Sequence, residues 1–242
     1  GTVVAWGDES SGGDSSAVRD YLFDVKQVFS SRKAFAALKH NGSVVTWGSD
    51  EWGGHCGSAG AMLNSDVQRI FMTVSAFAAL KTGGTVIAWG DPRGGGDCSA
   101  VQEHLTGVQE VYASQTAFAA VKSDGGVVCW GDAEAGGDCS AVQDQLKSGV
   151  VKIFSLRKAF AALKEDGAVV TWGEPKWGGD SSAVADELAS GVEDIFSLRK
   201  GFAAVKGPRG SVVTWGNPKF CIMSPAASEL LQRGVVQIFA TQ

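Results

Sequence analysis

"SGVVKIFSLRKAFAALKEDGAVVTWG", residues 148–173, decides the fold. Residues 150–155, VVKIFS, form a short β-branched and aromatic run of the kind that makes a strand. LRK follows as a turn. AFAALK (159–164) is apolar on both faces and carries three alanines, which suits a strand held between two close sheets. EDG is a turn signal that predicts a two-residue hairpin, and AVVTWG (168–173) reads as a third strand. The next stretch, EPKWGGDSSAVADELASG (174–191), ends in a short predicted helix. Asp180 or Ser181 can cap it, Val184 and Leu188 share one face, and Gly191 stops it.

The unit recurs. Trp-Gly stands at Trp6, Trp47, Trp89, Trp130, Trp172 and Trp215, spaced by 41, 42, 41, 42 and 43 residues. Phe-Ala-Ala-(Leu/Val)-Lys begins at Phe35, Phe77, Phe118, Phe160 and Phe202. A Val-x-x-(Ile/Val)-(Phe/Tyr) run ends at Phe29, Phe71, Tyr112, Phe154, Phe196 and Phe239. The count is thus six, short of one Phe-Ala-Ala-Leu-Lys segment, which is expected before Gly1 or after Gln242. The hairpin signal repeats as Asn41-Gly42, Gly83-Gly84 and Asp124-Gly125, and Ser224, Pro225 and Gly234 serve the last helix as cap, first turn and stop. A three-stranded sheet cannot bury both faces alone, whereas a radial set of them can. The expectation is therefore a single all-β domain over 1–242: a β-propeller of six, possibly seven natively, three-stranded blades with short helical links. The tryptophans should seal the packing between blades. An open solenoid is the competing architecture.

The quoted stretch resembles the repeat of the regulator-of-chromosome-condensation superfamily. Its Ser-Gly-Val, Ala-Leu-Lys, Asp-Gly and Val-x-x-Trp-Gly elements are nearest to the branch typified by the bacterial β-lactamase inhibitory protein type II. The resemblance covers the whole chain and implies a propeller of three-stranded blades. In that branch a chain opens on a Val-Val-Ala-Trp-Gly strand, as at Val3–Gly7, and a terminal Ala-Leu-Lys strand closes the ring. That implies a native sequence continuing past Gln242. The superfamily's members include a chromatin-binding nucleotide-exchange factor, enzyme inhibitors and ubiquitin-ligase modules, which share the presentation of one face of a rigid ring to another protein.

Composition fits this picture. Of 242 residues 44% are hydrophobic and 33 are Gly, ample for a core with many tight turns. A net charge of −5 gives no global field for nucleic acid, so nucleic acid is not the expected partner. No apolar run reaches the span of a bilayer, and no secretory leader opens the chain. Of five cysteines, Cys56, Cys98 and Cys139 share a repeat position that Ser15 and Ser181 hold elsewhere. Exchange with Ser favours free thiols, and with them a reducing, intracellular compartment.

Chemistry is harder to find. His40, His55 and His104 occupy unrelated repeat positions, and no zinc, nucleophile-elbow or phosphate-loop motif is present, although PRGGGDCSA (92–100) is Gly-rich. Asp14, Asp97, Asp138 and Asp180 recur after Gly-Gly; Asp8, Asp91, Asp132 and Glu174 recur after the tryptophan. Calcium ligation is conceivable for them, but helix caps and polar turns explain them better. Residues repeated in rings do not make the single asymmetric constellation that catalysis needs. No enzyme and no cofactor are expected.

Differences between copies carry more information. The turn between the first two strands reads SSRK, MTVS, ASQT, SLRK, SLRK and ATQ, so Arg32, Lys33, Arg157, Lys158, Arg199 and Lys200 should lie on one rim, clustered on half of it. In the inhibitor branch this turn carries aromatic contact residues; their absence argues against β-lactamase as partner. Five residues past each Trp-Gly tryptophan the chain varies between Ser11, Trp52, Gly94, Ala135, Trp177 and Phe220. Trp52, Trp177 and Phe220 are candidate contact anchors. Lys39, Lys81, Lys122, Lys164 and Lys206 are expected to form a solvated ring. The function read from this is a non-enzymatic protein-interaction module or scaffold whose partner has an acidic surface. A lectin-like glycan binder and a nucleotide-exchange-type propeller are the alternatives.

Overall fold

A computed structural model describes residues 1–207, 210–221 and 224–239. It is a β-propeller built from five consecutive three-stranded antiparallel sheets, each with its strands in chain order. Blade 1 comprises Val25–Ser30, Ala34–Lys39 and Val44–Gly48, and blade 2 comprises Val67–Met72, Ala76–Lys81 and Val86–Gly90. Blade 3 is Val108–Ala113, Ala117–Lys122 and Val127–Gly131; blade 4 is Val150–Ser155, Ala159–Lys164 and Val169–Gly173. Blade 5 is Val192–Ser197, Gly201–Lys206 and Ser211–Gly216. The first strand of each blade touches the first strand of the next, which puts these strands nearest the axis. Each carries a register shift at the same place, as between Val150 and Lys152; the extra residue bends the strand.

The alanine-rich second strands are buried on both faces, as their composition requires. Apolar cores lie between neighbouring blades. Between blades 3 and 4, for example, Ala117, Ala119 and Val127 meet Val150, Ile153, Phe160 and Trp172. Within each blade the paired Phe and Trp stack, with ring centroids 5.1–5.5 Å apart. The indole N–H then leaves the blade: Trp172 Nε1 donates to the Gly136 carbonyl at 3.0 Å, and Trp47, Trp89, Trp130 and Trp215 reach Gly12, Gly53, Gly95 and Gly178 in the same way. The first glycine of the Gly-Gly pair is required there. A Cβ on Gly136 would stand 2.5 Å from the Phe160 ring, and its φ is +93°.

Four expectations need correction. The hairpins of blades 1 to 4 are not two-residue turns: in each, the Gly alone takes positive φ, and its N–H donates to the carbonyl three residues back, as from Gly42 to Lys39. This three-residue loop with a left-handed Gly replaces the two left-handed residues that a type I′ turn needs. Secondly, five of the six expected blades are complete among the described residues. Val3–Gly7, an expected third strand, and residues 235–239, an expected first strand, belong to no strand, because each would pair with a second strand and neither has one beside it among the described residues. Thirdly, and for the same reason, Trp6 is 84% exposed while the other Trp-Gly tryptophans are at most 5%. Fourthly, the lysine ring is not simply solvated. Lys81, Lys164 and Lys206 donate to the carbonyls of Met62, Gln145 and Glu187 in the preceding link, and Lys39 is buried over the Phe23 ring.

The links themselves are mostly 3₁₀ turns, such as Ser140–Leu146, with short α-helical turns at Ala185–Leu188 and Pro225–Leu230. Segments this short do not propagate an α-helix well. Ser224 Oγ accepts from the Ala227 N–H and caps the last helix as expected, whereas neither Asp180 nor Ser181 caps Ala185–Leu188: Asp180 Oδ1 accepts from the Ser182 N–H at 2.9 Å, one turn ahead of it. The Val235 N–H donates to the Gly210 carbonyl at 3.1 Å, which repeats the contact that starts blades 2 to 5.

Candidate docking rim

Backbone hydrogen bonds place the turns between first and second strands side by side. The Arg32 N–H donates to Val74 O, Val74 N–H to Gln115 O, and Gln115 N–H to Arg157 O, at 2.9–3.0 Å. One rim of the disc is therefore a belt of these turns. The first turn residue decides how the nearby Trp-Gly loop is held. Ser31, Thr73 and Ser114 donate to the carbonyls of Trp52, Gly94 and Ala135 at 2.9–3.0 Å. Blades 4 and 5 have Leu156 and Leu198 at this position, which cannot donate.

Two sets of residues chosen separately from the sequence meet on this rim. Lys33 Nζ sits 5.5 Å from the Trp52 ring centroid on blade 1. On blades 4 and 5, Arg157 and Lys200 approach the Trp177 ring at 6.0 and 5.1 Å. Arg199, Lys200 and Lys219 approach Phe220 at 5.1, 5.7 and 5.9 Å. Such contacts place a cation on the negative face of an aromatic ring. Arg157 also donates from Nε to Gln115 Oε1. Arg32 joins the belt through its backbone, and Lys158 is half-buried, its carbonyl accepting from the Glu174 N–H. All three aromatics are half-buried; Trp52 packs against the core shared by blades 1 and 2, and Trp177 against that shared by blades 4 and 5. They are packed and presented at once.

Lys219 was not singled out in the sequence, and neither was the coupling between the two positions. Lys33, Lys158 and Lys200 go with Trp52, Trp177 and Phe220; Ser75 and Thr116 go with Gly94 and Ala135. The structure supplies the reason. Ser75 Oγ and Thr116 Oγ1 donate to the loop carboxylates of Asp91 and Asp132 at 3.1 and 3.0 Å, and a Cβ on Gly94 would lie 2.1 Å from Ser75 Oγ. A short hydroxyl draws the loop in and leaves no room for a ring. Comparing the two columns with each other would have exposed the pattern.

Among the described residues no carboxylate forms an ion pair with any of the six rim cations; the ion pairs lie elsewhere, as between Lys152 and Asp194. Nor do three His, Cys, Asp or Glu side chains among these residues converge as metal ligands would. No helix among them is long and apolar enough to cross a membrane. Apart from Glu174, the two carboxylate rings hold backbone: Asp8, Asp91 and Asp132 accept from the N–H groups of Ser10, Arg93 and Glu134. Asp14, Asp97, Asp138 and Asp180 accept from N–H groups of the following links, which keeps their carboxyls below the ordinary range.

No family model and no curated protein matches the chain. Solved structures do. The chain aligns over 87% of its length with 66% of Prp20p from Saccharomyces cerevisiae, at 16% identity and a TM-score of 0.50. It aligns over 79% of its length with 61% of human WBSCR16, at 19% identity and a TM-score of 0.47. With the ectodomain of the receptor kinase ACR4 from Arabidopsis thaliana the figures are 79%, 63%, 17% and 0.46. The chain thus spans less than two thirds of the length of WBSCR16 and of the ACR4 ectodomain. Likeness at this identity speaks for the fold, a β-propeller of repeated blades, and for nothing finer.

Proposed function

We propose that the chain is a non-enzymatic protein-interaction module of the regulator-of-chromosome-condensation type, nearest in its repeat to the inhibitor branch, that docks an acidic protein surface on its turn rim. One observation carries the reading. Arg157, Arg199, Lys200 and Lys219 crowd around Trp177 and Phe220 with no ion pair to a carboxylate among the described residues, on a chain whose net charge is −5. Aromatic rings flanked by arginine are what protein interfaces concentrate at their hot spots. An uncompensated cationic patch steers an acidic partner to the same place. Arg32, Lys33 and Trp52 on blade 1 and Lys158 on blade 4 extend the surface.

The test compares proteins captured by the native chain with those captured after Arg32, Lys33, Arg157, Lys158, Arg199 and Lys200 are all changed to Glu. The expected result is loss of an acidic binding partner from the variant, and salt-sensitive capture by the native chain. Identical capture by a folded variant would overturn the proposal.

A further inference from the structure

Blade 3 holds two thiols where its neighbours hold at most one. Cys129 lies in the third strand opposite Ala119, and Cys139 stands just before the link Ser140–Leu146. In blade 4 the corresponding residues are Thr171, opposite Ala161, and Ser181, and their hydroxyls are hydrogen-bonded at 3.0 Å. Blade 2 has Ala88 and Cys98, a thiol with no second sulfur at the facing position; it donates to Gln102 Oε1, as Cys139 does to Gln143 Oε1. In blade 3 two sulfurs thus replace two groups that touch. Both pack in the core between blades 3 and 4 and are only 7% and 6% exposed, yet both line one surface cleft of about 640 Å³ together with His104, Lys122 and Lys147. A small solute can reach them from that cleft. The two thiols also divide their roles. The hydrogen bond from Cys129 lowers the pKa of Cys139, whereas burial, first of all, raises that of Cys129.

We propose that Cys129 and Cys139 form an oxidisable dithiol, a modification site whose substrate is a small two-electron oxidant of the peroxide class. The Cys139 thiolate attacks one peroxide oxygen, the O–O bond breaks, and the departing oxygen takes up a proton to leave as water, giving a sulfenic acid on Cys139. Cys129 Sγ then attacks Cys139 Sγ; the S–O bond breaks and the leaving hydroxide takes the Cys129 proton as a second water. Two thiols are oxidised to one disulfide, and one peroxide is reduced to two waters. The bond would tie the third strand of blade 3 to its outgoing link.

The arrangement makes the measurement direct, because no Lys or Arg separates the two cysteines and both fall in the tryptic peptide Ser123–Lys147. The folded chain is treated with hydrogen peroxide, its remaining thiols are alkylated, and the peptides are weighed without reduction. The expected result is a Ser123–Lys147 peptide about 2 Da lighter than its reduced form and free of alkylation, while Cys98 is alkylated. Alkylation of both Cys129 and Cys139 after treatment would overturn the proposal. So would accumulation of sulfinic acid on Cys139 with Cys129 still free. The variant Cys129→Thr copies Thr171 of blade 4 and should abolish the mass loss; a loss of about 2 Da that persists in its single-cysteine peptide would come from chemistry other than a disulfide between Cys129 and Cys139 and equally sink the idea. Should this variant not fold, the native peptide map decides alone.

Discussion

Gly136 shows how far a single residue reaches in this molecule. Its missing Cβ lets the Phe160 ring close in, its carbonyl receives Trp172 Nε1, and its φ of +93° excludes most side chains. Gly136→Ala should therefore cost roughly 2–3 kcal/mol. Gly83→Ala is the contrast: nothing lies within 4 Å of a Cβ there and its φ is not in the left-handed region. It should leave stability unchanged or raise it by about 0.5 kcal/mol. Urea melts of the two variants check the pair, and equal losses would refute the cradle. At this scale the sequence exposed which columns repeat, Phe160, Trp172 and Gly136 among them. It hid what they touch, because the acceptor is a backbone carbonyl with no side-chain signature. The lysines were misread for the same reason, since Lys164 serves the carbonyl of Gln145.

Strands and links differ in how legible they were. All five second strands lie where the alanine-rich pattern puts them, since burial on both faces leaves a continuous apolar run. The hairpins were legible in place and wrong in type, because Asn-Gly serves a left-handed Gly after an ordinary turn as well as it serves a primed turn. The links depend on aspartates, and this has a consequence for pH. Backbone N–H bonds hold the carboxyls of Asp14, Asp97, Asp138 and Asp180 below their unfolded values, so the unfolded chain takes up more protons as the medium acidifies. Their stabilisation is complete above the ordinary Asp value of about 3.9 and is lost as the pH falls through the lower folded values. The triple variant Asp97→Asn, Asp138→Asn and Asp180→Asn keeps an oxygen that accepts the same backbone N–H without the titration. It should melt near the native temperature at neutral pH and lose less between about pH 4 and pH 2. An unchanged acid slope in thermal melts would remove these carboxylates from the account.

Across the whole molecule, burial is shared between neighbours and not held in one centre. Separate cores join blades 1 and 2, 2 and 3, 3 and 4, and 4 and 5. Blades 2 to 4 each lie between two such cores, whereas the far face of blade 1 is covered only by a smaller cluster, Leu22 and Trp47 with Val3 and Val18, which leaves Phe35 half-buried and Val28 40% exposed. Phe77, Phe118 and Phe160 are fully buried in their blades. Stability in such an array is close to a sum of blade terms and nearest-neighbour interfaces, so the end blades should open first. Amide hydrogen exchange checks this directly. Amides of 77–80, 118–121 and 160–163 should exchange at least about tenfold more slowly than those of 35–38, because opening blade 1 breaks one blade-to-blade core and a small cluster, and opening blade 3 breaks two blade-to-blade cores. Uniform protection in all five blades would instead mean that the disc opens as one cooperative unit. The rim would then inherit the stability of the whole ring, and Lys33 and Trp52 on blade 1 would be held as firmly as Trp177 on blade 4.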